Sequence, residues 1–279
     1  MGYFERAIVA AIVIGAGAGF VGALVVLRRR TFFAQALTHG TYPGAVAAAA
    51  LGVSVPLGAA AASVVLVAIM AGIARVRRQG AQVAAGIVLT GGFAAGALLQ
   101  AMLPGLPVRA ESLLVGSILT VSDGDIVLAA SVAVVAVAVV AVFGKEIAFS
   151  TFDPRGCRAA GNREWPSELL VLALTAATVV SALPAVGAIL AIALIAAPAA
   201  ARLVVPTYRG ILLAAPVIGA ASGVIGVLAS RALAVAAGPS IALAATAFFL
   251  LALGISKLRA VPWNRVSIPV ETAEDARIA

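Results

Sequence analysis

Residues 126–143 read IVLAASVAVVAVAVVAVF. As a helix this stretch would be about 27 Å long, close to the roughly 30 Å of hydrocarbon in a bilayer, and it contains no charged side chain. A helix without a polar face cannot lie on the surface of a water-soluble domain; it belongs in a protein core or in lipid. Composition decides between the two. Hydrophobic residues make up 63% of the chain, charged ones 11%, and the mean hydropathy is +1.15, against about half apolar and a quarter charged in an ordinary globular domain. The chain is therefore read as an all-α integral membrane protein. A span needs about 20 apolar residues, so 279 residues with loops leave room for roughly eight to ten. A β-barrel is excluded because the apolar runs are continuous and do not alternate residue by residue.

Working outward from 126–143, similar runs cover 7–27, 36–53, 57–74, 83–103, 169–183, 186–204, 211–229 and 241–255, which makes nine in all. The first closes on Arg28, Arg29 and Arg30. A cleaved signal peptide carries its positive charge before the apolar core, so this run is read as a retained helix that enters the cytoplasm at Arg28, with the N-terminus outside. Alternating the nine runs from there leaves only Arg6, Arg109 and Arg231 on the outer side. Every other lysine and arginine falls on the cytoplasmic side, the asymmetry that sets orientation in many-span proteins. The net charge of +8 is thus a record of orientation and not a nucleic-acid footprint. Residues 1–256 are expected to form a single polytopic domain, with a cytoplasmic segment at 144–168, a polar cytoplasmic tail at 257–279 and the C-terminus inside.

Small residues recur at helix-packing spacing: Gly15 with Gly19, Gly92 with Gly96, and Gly219 with Gly223. In lipid such pairs let backbones approach closely, although a chain rich in Ala and Gly also produces them by chance. Leu113 to Val121 is too short to span and could form a re-entrant or interfacial half-helix. Asp123 and Asp125 begin the fifth run, where a helix N-terminal cap is the expected role. Pro184, Pro198 and Pro216 are expected to interrupt or end helices.

Ionisable groups inside a membrane are costly and so are candidate functional sites. The one histidine, His39, lies four residues after Gln35, which puts both on one helix face. Imidazole suits zinc, manganese or iron at neutral pH; the alternative is a histidine that hydrogen-bonds a neighbouring helix or interfacial water. One cysteine, Cys157, excludes an intrachain disulfide and a CxxC redox site. The segment GKEIAFSTFDPRGCRAAGNREWPSE, residues 144–168, is longer than a connection requires. Within it Asp153 and Pro154 should start a short helix ending at Gly161, a form suited to a soluble partner. No GxxxxGK[ST] phosphate loop occurs in the chain, so a nucleotide-driven motor would be a separate polypeptide.

Five phrases, in order, resemble the permease subunits of bacterial ABC importers for zinc, manganese and iron. They are VVLRRRTFFAQALTHGTYPGAVAAAALG (25–52), LLVGSILTVSDGD (113–125), FDPRGCRAAG (152–161), VGAILAIALIAAPAAARLV (186–204) and SRALAVAAGPSIAL (230–243). The resemblance implies a plasma-membrane permease that pairs with a second copy, binds two cytoplasmic ATPase subunits and receives metal from an extracytoplasmic binding protein. ATP would be held by the ATPase, with no cofactor in this chain. It also implies that Phe152, Asp153, Pro154, Arg155 and Gly161 belong to the coupling helix that docks into the ATPase, and that His39 lines the metal path. Where the family usually carries aspartates, this chain has Gln35 and Ser117, which attract a dication less than carboxylates do. A chelated metal or another small solute is compatible with that change. The rival reading is an ion-coupled secondary exporter of small metabolites. It should show a repeated half and a buried carboxylate for the coupling ion, and the sequence has neither.

Overall fold

The computed structural model describes residues 2–74, 81–103, 116 and 118–258. Ten α-helices follow one another: α1 (Tyr3–Leu27), α2 (Thr31–Gly40), α3 (Tyr42–Ala50), α4 (Val55–Ala74), α5 (Ala81–Met102), α6 (Asp123–Phe152), α7 (Pro154–Ala159), α8 (Trp165–Val204), α9 (Tyr208–Leu233) and α10 (Ala237–Leu258). A single 3₁₀ turn covers Ile118–Thr120, and no strand occurs among the described residues. Among the described residues six helices are long and apolar enough to cross a membrane: Tyr3–Leu27, Gln82–Met102, Asp123–Phe152, Trp165–Leu183, Tyr208–Leu233 and Ala237–Leu258. Their outer surfaces carry bare apolar side chains such as Val134, Val137, Leu213 and Leu251, which is stable in lipid and not in water.

The remaining apolar runs are helical too, in forms the sequence did not show. The run at 36–53 falls on α2 and α3, which meet at Thr41. Pro43 has no N–H to give to the carbonyl of His39, so the helix is interrupted there. Thr41 itself stays right-handed helical, with φ −75° and ψ −10°, and the chain keeps its direction.

Helix α8 is a hairpin in disguise. Unbent, its 40 residues would measure about 60 Å. Yet Val171 and Leu174 from its start share one core cluster with Ala201 from its end, while Ala182 and Ala185 lie in a cluster at the other end of the bundle. The chain therefore reverses in between, where Gly187 adopts φ 69° and ψ 178°, a conformation open essentially to glycine alone.

Two helix groups result. In the first, α1 is packed by α6, α8 and α9, and α10 joins the group through α8 and α9. Here the glycine pairs read from the sequence are where backbones meet. A Cβ on Gly15 would lie 2.5 Å from the carbonyl oxygen of Gly219, and one on Gly223 would lie 2.7 Å from that of Ala11. In the second, α2, α3, α4 and α5 gather around Leu37, Leu66, Val88 and Tyr42. Gly92 lies against the Gly40 backbone, and Gly96 lies against the Tyr42 ring. The first half of α8 joins the groups through Leu172, Ala176, Val180 and Leu183.

Two expectations need correction. Pro216 lies inside α9 and Pro198 inside α8, so neither ends a helix; neighbouring helices supply the packing that holds such prolines within spans. The helix of the fifth run does not stop at Phe143 but continues to Phe152. At about 45 Å it is longer than the hydrocarbon is thick. Of the 113–121 segment, the described part is residue 116 and the turn at Ile118–Thr120, where Ile118 and Val121 are buried beside α1. Ser117 lies outside the described residues.

Candidate functional site

Two places in the fold carry the residues singled out from the sequence. The first lies on α2. Gln35 and His39 are both half-buried, one helical turn apart on the same face. The His39 ring sits 6.1 Å from that of Phe93 on α5. Its Nδ1 is buried without a hydrogen-bond partner among the described residues. A buried, unpartnered ring nitrogen is costly unless a water, an ion or a further donor completes it. One turn further on, the Tyr42 ring stacks on Phe93 at 5.7 Å, and its hydroxyl bonds Gln100 Oε1. Phe93, Tyr42 and Gln100 were not picked out from the sequence. In an apolar run an aromatic residue looks like core, and only the packing of α2 and α3 on α5 brings Phe93 to His39 and Tyr42 to Phe93 and Gln100.

No group of three or more His, Cys, Asp or Glu side chains converges on one point among the described residues. Every described carboxylate lies near an end of the bundle: Glu5, Asp123 and Asp125 at one, and Glu146, Asp153, Glu164 and Glu168 at the other. The described residues around His39 therefore do not make up a closed metal cage, which would need about four ligands.

The second place is the end of the bundle where α1 and α6 finish and α8 and α9 begin. Asp153 caps α7, its Oδ1 accepting the Gly156 N–H at 2.8 Å. Pro154 occupies the first helical position, where its missing N–H costs nothing. The helix closes on Gly161 at φ 77°; there the Asn162 N–H reaches the Cys157 carbonyl and the Gly161 N–H reaches the Arg158 carbonyl, both at 3.0 Å. This is the glycine-terminated arrangement that satisfies final carbonyls. The short helix expected from Asp153-Pro154 to Gly161 is therefore present, capped at both ends. Arg155 is exposed, and Phe152 is 60% exposed while resting edge-on against the Tyr208 ring at 5.8 Å. Arg158 pairs with Glu164 at 3.1 Å.

Basic residues separate by end. Arg28, Arg29, Arg30, Arg155, Arg158, Arg163, Arg202, Arg209 and Lys257 lie at or next to the helix ends on this side. At the opposite end Arg6 pairs with Asp123 at 2.8 Å, and Arg231 sits 4.3 Å over the Phe4 ring. There Ser122, not an aspartate, is the cap of α6. It accepts the Asp125 N–H at 3.2 Å, and Asp125 bonds back to it. Arg28 is half-buried; burial lowers its pKa from the ordinary value, and Glu168 opposes that shift. It stays a cation at neutral pH.

The profile of the ABC 3 transport family matches residues 1–256, nearly the whole chain. The chain belongs to the ABC 3 transport family. Two relatives illustrate its range. The manganese transport system membrane protein MntC of Halalkalibacterium halodurans is 29% identical over 260 residues, covering 93% of this chain and 89% of its own. The zinc transport system membrane protein TroC of Treponema pallidum is 31% identical over 268 residues, covering 92% and 90%. Among solved structures, PsaBC from Streptococcus pneumoniae in complex with Fab superposes with a TM-score of 0.82 at 27% identity, over 91% of each chain. Family and fold agree with the apolar helices in making this ABC-family chain a multi-pass bacterial membrane protein.

Proposed function

We infer that this chain is the membrane permease subunit of an ATP-driven importer of divalent transition metal, zinc, manganese or iron, free or chelated. The observation that carries the reading is the capped helix α7, exposed at the same end of the bundle as most of the described arginines. That end is the cytoplasmic side by the positive-inside rule. In this arrangement the nine apolar runs are nine spans, the N-terminus is outside and the tail 257–279 is inside. The reversal at Gly187 supports counting 169–183 and 186–204 as two spans. Residues 1–256 form the permease domain.

Two ATPase subunits bind the α7 face, with Phe152, Asp153, Pro154, Arg155 and Gly161 forming the docking element. ATP is bound and hydrolysed there, while this chain makes and breaks no covalent bond. A second copy of the chain completes the path, and an extracytoplasmic binding protein delivers the substrate to the end bearing Arg6, Asp123 and Arg231. Within the path His39 is the one imidazole. Its unpartnered Nδ1 supports a role in passing metal, with Gln35 one turn before it and Ser117 as further path candidates. Relatives named for manganese and for zinc support the substrate class. Neutral Gln35, where the family usually has aspartate, favours weak, transient contact over tight binding. That suits a path whose sites must release what they bind.

The test is affinity purification of the tagged chain from membranes that also hold a Walker-motif ATPase. The ATPase should accompany the unaltered chain and be depleted by Asp153→Ala or Gly161→Ala. Purification of a stable, folded chain free of ATPase under all conditions would contradict the reading.

A further inference from the structure

The Arg28–Arg30 corner joins the two helix groups, and its two outer arginines hold different parts of the protein. Arg28 donates from Nε to Thr151 Oγ1 at 3.0 Å, and from one terminal nitrogen to Ser150 Oγ at 2.6 Å and to the Ile147 carbonyl at 3.2 Å. All three acceptors lie in the last two turns of α6, directly before α7. Arg30, the residue before α2, is paired with Glu168 at the start of α8. Between them Arg29 takes φ 56°. Around it α1 closes with the Arg30 N–H on the Val25 carbonyl at 2.9 Å and the Arg29 N–H on the Val26 carbonyl at 3.1 Å. This is the closure in which glycine normally fills the left-handed site, so the direction of the chain into α2 is fixed by its backbone.

Membrane orientation asks nothing of this kind. A solvated arginine serves the positive-inside rule as well as a bonded one, and Arg29 is exposed. Arg28 instead is half-buried, with three hydrogen bonds spent on the stretch 147–151. On one side of that stretch is α7; on the other side of Arg28, three residues along the chain, begins the helix that carries Gln35 and His39.

We propose that Arg28 is the positioning residue that passes displacement of α7 to α2 and the His39 path, by tying the end of α6 to the α1–α2 corner. The proposal rests on the reading of α7 as the ATPase-docking element. When the ATPase moves α7, the stretch 147–151 moves with it, Arg28 carries the corner along, and α2 changes its tilt against α5. Charged hydrogen bonds are strong and directional enough to act as such a link, and a link of this kind is demonstrated only when both ends bias one two-state element.

The experiment uses the full chain with its ATPase subunits, reconstituted in lipid, and a reporter thiol from Gln35→Cys. The native thiol, Cys157, is buried but lies in α7, so labelling of the chain without the reporter is measured in both states and subtracted. The rate of labelling by a membrane-permeant maleimide is compared in the nucleotide-free and ATP–vanadate-trapped complexes. With Arg28 in place the two rates should differ by about fivefold or more, the range of ordinary allosteric coupling. Arg28→Gln should bring them together while the ATPase still co-purifies and hydrolyses ATP; Arg28→Lys, which keeps charge and donors, should retain part of the difference. A purely structural role would lower yield and leave the rate ratio intact. The ratio kept in full by Arg28→Gln overturns the proposal. Should that variant fail to accumulate, the Ser150→Ala/Thr151→Ala pair must abolish the ratio instead, and an unchanged ratio there overturns it equally. Absence of the ATPase from the complex with Arg28 intact marks a different failure, that of the docking reading itself.

Discussion

Replacing Gly15 by alanine should force α1 away from α9. The new Cβ would stand 2.5 Å from the Gly219 carbonyl oxygen and 2.9 Å from its carbon, where ordinary contact begins near 3.4 Å. Both obstacles are backbone atoms, so no side chain can swing aside, and the helices must part by about 0.9 Å locally. A gap of about that size forfeits a quarter to a half of the dispersion energy of the atoms facing it. Gly19 and Gly223 lie in the same seam, so the loss spreads along it, and overpacking of this kind costs about 1–3 kcal/mol. Alanine in place of glycine also favours a helix by up to about 1 kcal/mol, a gain common to any mid-helix glycine. Gly254→Ala is therefore the control, because a Cβ there would meet nothing within 4 Å. Thermal stability of the detergent-solubilised protein, read by the fraction that stays monodisperse after heating, should fall for Gly15→Ala and hold or rise for Gly254→Ala. Equal stability of the two would refute the claim that the α1–α9 seam is set by backbone contact.

Four other outcomes follow from the geometry. Asp153→Ala removes the cap of α7, worth about 1 kcal/mol, and should weaken ATPase co-purification while the spans keep their melting behaviour. Gly161→Ala places a side chain at φ 77°, a penalty of about 1–2 kcal/mol, and should act on the same assay in the same direction. Arg29→Gly relieves the left-handed strain at φ 56° and should leave thermal stability equal or slightly higher, whereas a clear loss would mean that the Arg29 side chain has a role of its own. His39→Ala should reduce metal accumulation by cells more than it reduces protein level; unchanged uptake would make His39 a packing residue.

How much of this was legible in the sequence depends on whether the signal is local. The apolar runs, the segregation of arginines and the Asp153-Pro154 start of α7 are local patterns, because lipid, charge asymmetry and capping act on neighbours in the chain. The glycine pairs were legible as helix-packing candidates, yet their partners were not: Gly15 meets Gly219, more than 200 residues away, and no pattern in one helix names the other. The same holds for His39. Its face could be placed from Gln35, but Phe93 reaches it only through the packing of α2 on α5, and Tyr42 and Gln100 join Phe93 only through that of α3 on α5. The arginine triplet shows the limit most clearly. In sequence it is a block of positive charge after a span, and its three members look alike. In the structure one is bonded to α6, one closes α1 in a left-handed conformation, and one is paired with Glu168.

On the proposed function, metal crosses through this chain at the expense of ATP hydrolysed by a partner. Proteoliposomes holding the chain with its ATPase subunits, supplied with the binding protein and radioactive manganese or zinc, test it most directly. Accumulation should require ATP on the α7 side and be abolished by vanadate. Accumulation driven by a proton or sodium gradient without nucleotide, or none of either metal by a complex that hydrolyses ATP, would contradict it.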